Sequence, residues 1–145
     1  MTTVKEWLAG AGREACRDAR GWLRTLPEEA TMDDAWRLCK RADWMFWAGL
    51  RSYVTENDPR WRQAAFAIVR RTPVGEGTCW DAMPSDAQRC VEVAEAYERG
   101  EATAEERSAA ESAAESAAWS AARSAAESAQ ADIIREFVPH PWGEA

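Results

Sequence analysis

The sequence contains one histidine, His140, and no closely spaced pair of cysteines. Cys16, Cys39, Cys79 and Cys90 are 23, 40 and 11 residues apart, so no CxxC unit occurs. A tetrahedral zinc site usually draws its ligands from such units, so we expect no metal and no other cofactor. We interpret the cysteines as small buried residues of a reduced, cytoplasmic protein.

Long apolar runs and alternating β-branched runs are also missing. No stretch approaches the roughly 18 uncharged apolar residues that a membrane span needs. The first residues, MTTVKEWLAGAG, lack the basic start and apolar run of a secretory signal. Without alternating β-branched runs no sheet is expected. The sequence therefore predicts an all-α protein that is cytoplasmic and has no membrane contact.

Catalytic motifs are absent from the sequence as well. No nucleophile elbow, phosphate-binding glycine loop or metal-binding helix motif occurs. His140 lies between two prolines, where an orienting partner and a pocket are not expected. Paired acids occur where helices are predicted to begin, and there the helix dipole accounts for them. These pairs are Glu28-Glu29, Asp33-Asp34 and Glu105-Glu106. We predict that the protein is not an enzyme.

Start and stop signals predict a series of short helices before residue 100. Thr3 and Glu6 have the spacing of a capping box, and Gly10 and Gly12 interrupt the helix that follows. A second helix is predicted at about Arg13 to Leu26. Three more are predicted to begin at caps: one at Thr31 or Asp33, one at Asp43 and one at Asp58, which Pro59 follows. A further helix is predicted at about Pro84 to Arg99. Residues 72–77 are predicted to form a loop.

Residues 108–131 repeat a four-residue unit: SAAE, SAAE, SAAW, SAAR, SAAE, SAQA. Alanine is the strongest helix former, so this stretch predicts one long helix from the capping-box pair Thr103 and Glu106 to Pro139. Because a four-residue step turns about 400°, the large side chains wind around the helix. We predict one domain over residues 1–145: a short-helix bundle (1–100), a long Ala/Ser helix (101–138) and a proline-containing tail (139–145).

Charge is distributed unevenly along the chain. Residues 1–75 hold 13 basic and 10 acidic side chains, whereas residues 76–145 hold 5 basic and 15 acidic ones. This asymmetry indicates attraction within the molecule, an acidic face for a basic partner, or solvation of an Ala-rich surface. Arginines cluster at residues 60–71, but the isoelectric point near 4.8 disfavours direct nucleic-acid binding.

Tryptophan is abundant, with nine residues. Five of them lie in predicted apolar helix faces and are interpreted as core: Trp22, Trp36, Trp44, Trp47 and Trp61. Trp142 follows two prolines and is predicted to hold the tail against the bundle. Trp119 stands alone among alanines and serines, and two interpretations stay open: a docking residue for the long helix, or an exposed anchor for a partner.

Four segments resemble an Ala-rich family of small bacterial and phage immunity proteins. They are residues 31–47 (TMDDAWRLCKRADWMFW), residues 93–106 (VAEAYERGEATAEE), the Ala-rich repeat, and residues 131–141 (ADIIREFVPHP). The family usually has glycine where this chain has Ala42, so this junction is expected to be tighter or continuous. The resemblance implies a protein that neutralises a partner, commonly a toxin, by binding alone.

The leading hypothesis is a non-enzymatic inhibitor that binds one protein through an acidic helical surface. That partner would be a toxin or a subunit of a defence complex such as CRISPR or restriction, and would carry a basic surface. The candidate contact residues are Glu101, Glu105, Glu111, Glu115, Trp119 and Arg123. The alternative is a structural module that self-associates, with the Ala/Ser faces of two long helices packed in a homodimer.

Overall fold

The computed structural model describes residues 1–55, 57–106, 108 and 127–143, and these residues are mainly helical. No helix in this part of the chain combines the length and apolarity of a membrane span. The elements in chain order are α1 (Val4–Ala9), a 3₁₀ helix (Ala11–Glu14), α2 (Arg17–Leu23), α3 (Met32–Leu38), α4 (Ala42–Gly49), α5 (Pro59–Arg71), β1 (Pro73–Val74), β2 (Gly77–Thr78), α6 (Cys79–Ala82), α7 (Ser85–Glu98) and α8 (Glu127–Phe137). The predicted helical class is confirmed.

Local capping signals are confirmed where their helices begin. The Thr3 side chain accepts from the Glu6 backbone N–H at 3.1 Å, and Glu6 accepts from the Thr3 N–H at 3.0 Å. Thr31, not Asp33, caps α3, and the Asp34 carboxylate completes that capping box. Each box satisfies backbone N–H groups that the first turn leaves without a partner.

The helix predicted at Arg13 to Leu26 is shorter in the structure. Residues 11–14 form the 3₁₀ helix, and α2 spans only Arg17–Leu23. Gly12 packs so closely on the Trp7 ring that a Cβ atom there would overlap it. This close contact between Gly12 and α1 occurs in the irregular backbone before Arg17. The predicted helix start at Arg13 was wrong, since α2 begins at Arg17.

Asp43 does not cap α4, contrary to prediction. The helix begins one residue earlier, at Ala42, with Arg41 in the capping position and no side-chain cap. The Arg41 guanidinium instead binds both oxygens of the Asp43 carboxylate, at 3.0 and 2.8 Å. A charge-assisted, two-pronged bond of this kind outcompetes a single bond to a backbone N–H. Residues 39–41 separate α3 from α4, so the junction expected to be tighter or continuous is a short break.

A small hairpin replaces the predicted loop at residues 72–77. Pro73 pairs with Thr78 and Val74 with Gly77, in an antiparallel arrangement. Gly75 adopts a φ of 60°, which permits the two-residue turn between the strands. The prediction of no sheet was therefore wrong at this one place, because the hairpin forms from turn chemistry and not from alternating apolar residues.

The long helix predicted over 101–138 lies largely outside the described residues, which omit 107 and 109–126. The capping pair predicted at its start is present: Glu106 N–H donates to the Thr103 hydroxyl at 3.2 Å, and residues 104–106 are helical. Later in the predicted span, residues 127–137 form α8. Gly100, with a φ of 75°, ends the preceding helix as predicted.

The main hydrophobic core joins the first helix to the last residues described. α8 packs against α4 and α5, and the buried cluster extends from Val4 to Trp142. Arg135 of α8 donates to the carbonyl oxygens of Trp36 and Cys39 at 2.8 and 2.7 Å. These contacts place a cation at the C-terminal end of α3, where the helix dipole favours it.

Ion pairs connect the basic first half of the chain with the acidic second half. Four such pairs are Arg41–Glu127 (3.1 Å), Arg62–Glu98 (2.5 Å), Arg70–Glu95 (2.7 Å) and Arg71–Glu136 (2.8 Å). The attraction within the molecule that the charge asymmetry indicated is therefore present. Because these four glutamates pair with arginines of the same chain, they are less available to a partner than the remaining acidic residues.

Candidate functional site

A cavity of about 380 Å³ opens between α1, α2, α3, α4 and the C-terminal tail. This volume lies in the range of small-molecule sites, which are about 300–1,000 Å³. Its walls are mainly apolar. Six of the nine tryptophans line it: Trp7, Trp22, Trp36, Trp44, Trp47 and Trp142. We call this feature the tryptophan cavity.

The tryptophan rings meet largely edge to face. Trp7 lies nearly perpendicular to Trp47 and to Trp142, with centroid separations of 6.0 and 6.3 Å. Trp36 contacts Trp142 at 5.6 Å and 73°. Aromatic pairs prefer this geometry because the positive ring edge faces the negative ring face. The walls are therefore held by ring-to-ring contacts contributed from several helices.

The core prediction for five tryptophans is confirmed only in part. Trp36 and Trp61 are buried, but Trp22, Trp44 and Trp47 are half-buried and border the cavity. Trp142 is 5% exposed, which confirms that the tail docks on the bundle. Trp7 was missed, although its three-residue spacing from Val4 in a capped helix is a signal that could have identified it as core.

Two buried indole N–H groups differ in their partners. Trp36 Nε1 donates to the Val138 carbonyl oxygen at 2.8 Å, which ties α3 to the end of α8. Trp7 Nε1 is also buried but finds no acceptor among the described residues. A buried donor without an acceptor costs about 1–3 kcal/mol.

Matched substitutions can measure this difference. We expect Trp36→Phe to lower the free energy of unfolding by about 1–2 kcal/mol more than Trp7→Phe does. Both changes remove the same atoms, but only the first leaves the Val138 carbonyl without its donor. Urea denaturation of the two variants measures both losses. Equal losses would contradict a stabilising role for the Trp36 bond.

Charged side chains border the tryptophan cavity. Three are acidic, Glu14, Asp18 and Asp43, and one is basic, Arg41. The hydrogen bonds that Arg41 donates to the Asp43 carboxylate raise the pKa of Arg41, so this guanidinium stays charged. Cys39 also lines the cavity, and burial raises the pKa of its thiol above the usual value. A thiol with a raised pKa is a weak nucleophile, so Cys39 is a wall residue.

The predicted contact residues fall into two groups. Glu101 and Glu105 are exposed, and Glu101 pairs with Arg99 at 3.0 Å. Glu111, Glu115, Trp119 and Arg123 lie outside the described residues. The structure brings Glu101 together with Glu92 and Glu106 around one surface depression, beside Arg89 and Arg99. We call this feature the acidic depression. Neither Glu92 nor Glu106 was predicted as a contact residue. Glu106 was predicted as the capping-box partner of Thr103, and Glu92 comes close to Glu101 through the turn at Gly100.

The tryptophan cavity offers apolar ring surfaces, and the depression beside Glu101 offers carboxylates. Among the described residues, no group of three or more His, Cys, Asp or Glu side chains could hold a metal ion. All four cysteines are free thiols, and His140 is exposed on the tail. Comparisons with protein-family models, curated proteins and solved structures find no match for this chain.

Proposed function

We propose that this chain is a non-enzymatic inhibitor that binds one partner protein through an acidic surface. This surface begins at Glu92, Glu101, Glu105 and Glu106 and continues into the Ala/Ser segment with Glu111 and Glu115. Trp119 and Arg123 are proposed as further contact residues on the same segment. The partner carries a basic surface.

One observation carries the proposal: Glu92, Glu101 and Glu106 converge on a single exposed depression where the acidic segment begins. Other acids of the second half of the chain, including Glu95, Glu98 and Glu136, pair with arginines of the fold. At the depression the described residues show the exposed Glu101–Arg99 ion pair, and the Glu106 carboxylate accepts from the Thr103 backbone N–H at 3.1 Å. Exposed pairs contribute little to stability, so the carboxylates of Glu92 and Glu101 are available to a partner.

Complementary charge accelerates and orients the encounter of two proteins more than it increases their affinity. A small acidic protein of this kind suits two biological roles equally. One is immunity against a toxin, as the resemblance to immunity proteins implies. The other is a phage-encoded block of host defence such as CRISPR or restriction.

Charge reversal tests the proposal. Tagged wild-type protein is used to capture partners from host lysate, and the captured partner is purified for stopped-flow association measurements. We expect the double variant Glu101→Lys/Glu105→Lys to associate about tenfold more slowly at low salt, with the difference shrinking as salt rises. The variant Glu111→Lys/Glu115→Lys should act in the same direction.

The matched control is Glu28→Lys/Glu29→Lys, which makes the same charge change on exposed residues between α2 and α3. Equal association rates for wild type and the Glu101/Glu105 variant would refute the acidic-surface proposal. If the chain captures only itself, and light scattering shows a dimer, the self-associating structural module replaces the inhibitor.

A further inference from the structure

We propose that the tryptophan cavity is a binding site for a small organic cation with a quaternary ammonium group. The site is separate from the acidic depression at Glu101 and does not depend on the proposed inhibitory function. The volume of the cavity, the aromatic character of its walls and the charge around it support this site.

Six indole rings line the cavity, and the face of an indole ring is negative. Tryptophan is the best aromatic partner for a cation, and a quaternary ammonium group is the ligand that aromatic cages typically bind. Three tryptophan faces among the described residues already hold a guanidinium. Arg41 lies over Trp44 at 4.5 Å, Arg51 over Trp47 at 3.7 Å and Arg70 over Trp80 at 4.0 Å. Two of these rings, Trp44 and Trp47, also border the cavity.

The charge around the cavity selects a positive ligand. Arg41 is engaged by Asp43 at 2.8 Å and by Glu127 at 3.1 Å. Glu14 and Asp18 have no ion-pair partner among the residues that the structure describes. Two exposed carboxylates without an ion-pair partner therefore border this space, and they disfavour anions and attract cations.

The apolar walls favour a quaternary over a primary ammonium. A primary ammonium loses hydrogen bonds to water when it lies against the indole rings, which supply no acceptor oxygen, and this loss is costly. A quaternary ammonium has no N–H groups to satisfy, and its methyl groups contact the indole rings directly. The cavity is therefore better matched to a methylated cation than to a free lysine side chain.

Choline and its neutral isostere 3,3-dimethylbutan-1-ol make the direct test, since they share shape and differ in charge. Binding is followed by tryptophan fluorescence and by calorimetry. We expect saturable binding of choline and at least about tenfold weaker binding of the isostere. Equal binding of the two would overturn the proposal, as would no choline binding up to about 10 mM.

A pair of variants locates the site. Asp18→Asn is expected to weaken choline binding about three- to tenfold, because it removes a carboxylate beside the cavity. The control Asp86→Asn changes the same side chain in the first turn of α7, where it is exposed, and should leave binding unchanged. Unchanged binding in Asp18→Asn would place choline elsewhere and overturn the assignment.

A quaternary ammonium group also occurs on proteins, as trimethyllysine. One further titration distinguishes a free small molecule from a methylated protein as the ligand. A short peptide containing trimethyllysine is compared with choline and with the unmethylated peptide. We expect choline to bind at least as tightly as the methylated peptide, as a small-molecule site requires. About tenfold tighter binding of the methylated peptide would overturn the small-molecule assignment.

Discussion

Replacing Trp142 with alanine is expected to lower the free energy of unfolding by about 3–5 kcal/mol, the usual range for a buried tryptophan. Trp142 is 5% exposed and packs against Trp7 and Trp36, although it lies only three residues before the end of the chain. Its removal opens the wall of a cavity that already exists, so neighbouring rings cannot close the gap without losing their own contacts.

The measurement is urea denaturation followed by circular dichroism, with His140→Ala as the control. His140 is exposed two residues away, and its removal should change stability by less than about 0.5 kcal/mol. A loss of less than about 1 kcal/mol in Trp142→Ala would show that the tail is not part of the core. Choline binding should also weaken in this variant if the tryptophan cavity is the cation site.

The same glycine-to-alanine change is expected to have opposite effects at two positions. At Gly49, the last residue of α4, an added Cβ atom would overlap the Trp61 ring and lie 3.1 Å from the Trp36 ring. Both rings are buried, so neither can move away cheaply. We expect Gly49→Ala to destabilise the protein by about 3 kcal/mol, at the upper end of ordinary overpacking.

At Gly21, in α2, an added Cβ atom meets nothing within 4 Å. Alanine there should stabilise the protein by about 0.5–1 kcal/mol, since glycine is a poor helix former. Thermal unfolding of both variants compares the two positions directly. Stabilisation by Gly49→Ala would mean that α4 lies farther from the two rings than the structure places it.

The acidic depression and the tryptophan cavity are distinct surfaces with distinct chemistry. The depression is polar and is lined by residues of α7 and by residues that follow Gly100. The cavity is apolar and lies among α1 to α4 and the tail. A variant that affects one site should therefore leave the other unchanged, and combining Glu101→Lys with Asp18→Asn tests this independence.

Local signals allowed much of the fold to be read from the sequence alone. The helical class, the capping boxes at Thr3 and Thr103, and the stop at Gly100 depend on residues within four positions of one another. Such interactions form inside one turn of helix and are the same wherever the helix lies. The docking of Trp142 could also be predicted from the sequence, because prolines prevent a helix there and large apolar side chains are usually buried.

Only the tertiary structure decided which side chains share a site. Trp7 and Trp142 are far apart in the chain and touch because α1 and the tail pack on the same core. Arg41 bound Asp43 and displaced it from the predicted cap, a competition between partners that spacing cannot resolve. Glu92 joined Glu101 through the turn at Gly100. Composition and periodicity indicate the helix propensity of each residue and its tendency to be buried. The cavity and the depression depend instead on which residues of distant segments come into contact in the folded chain.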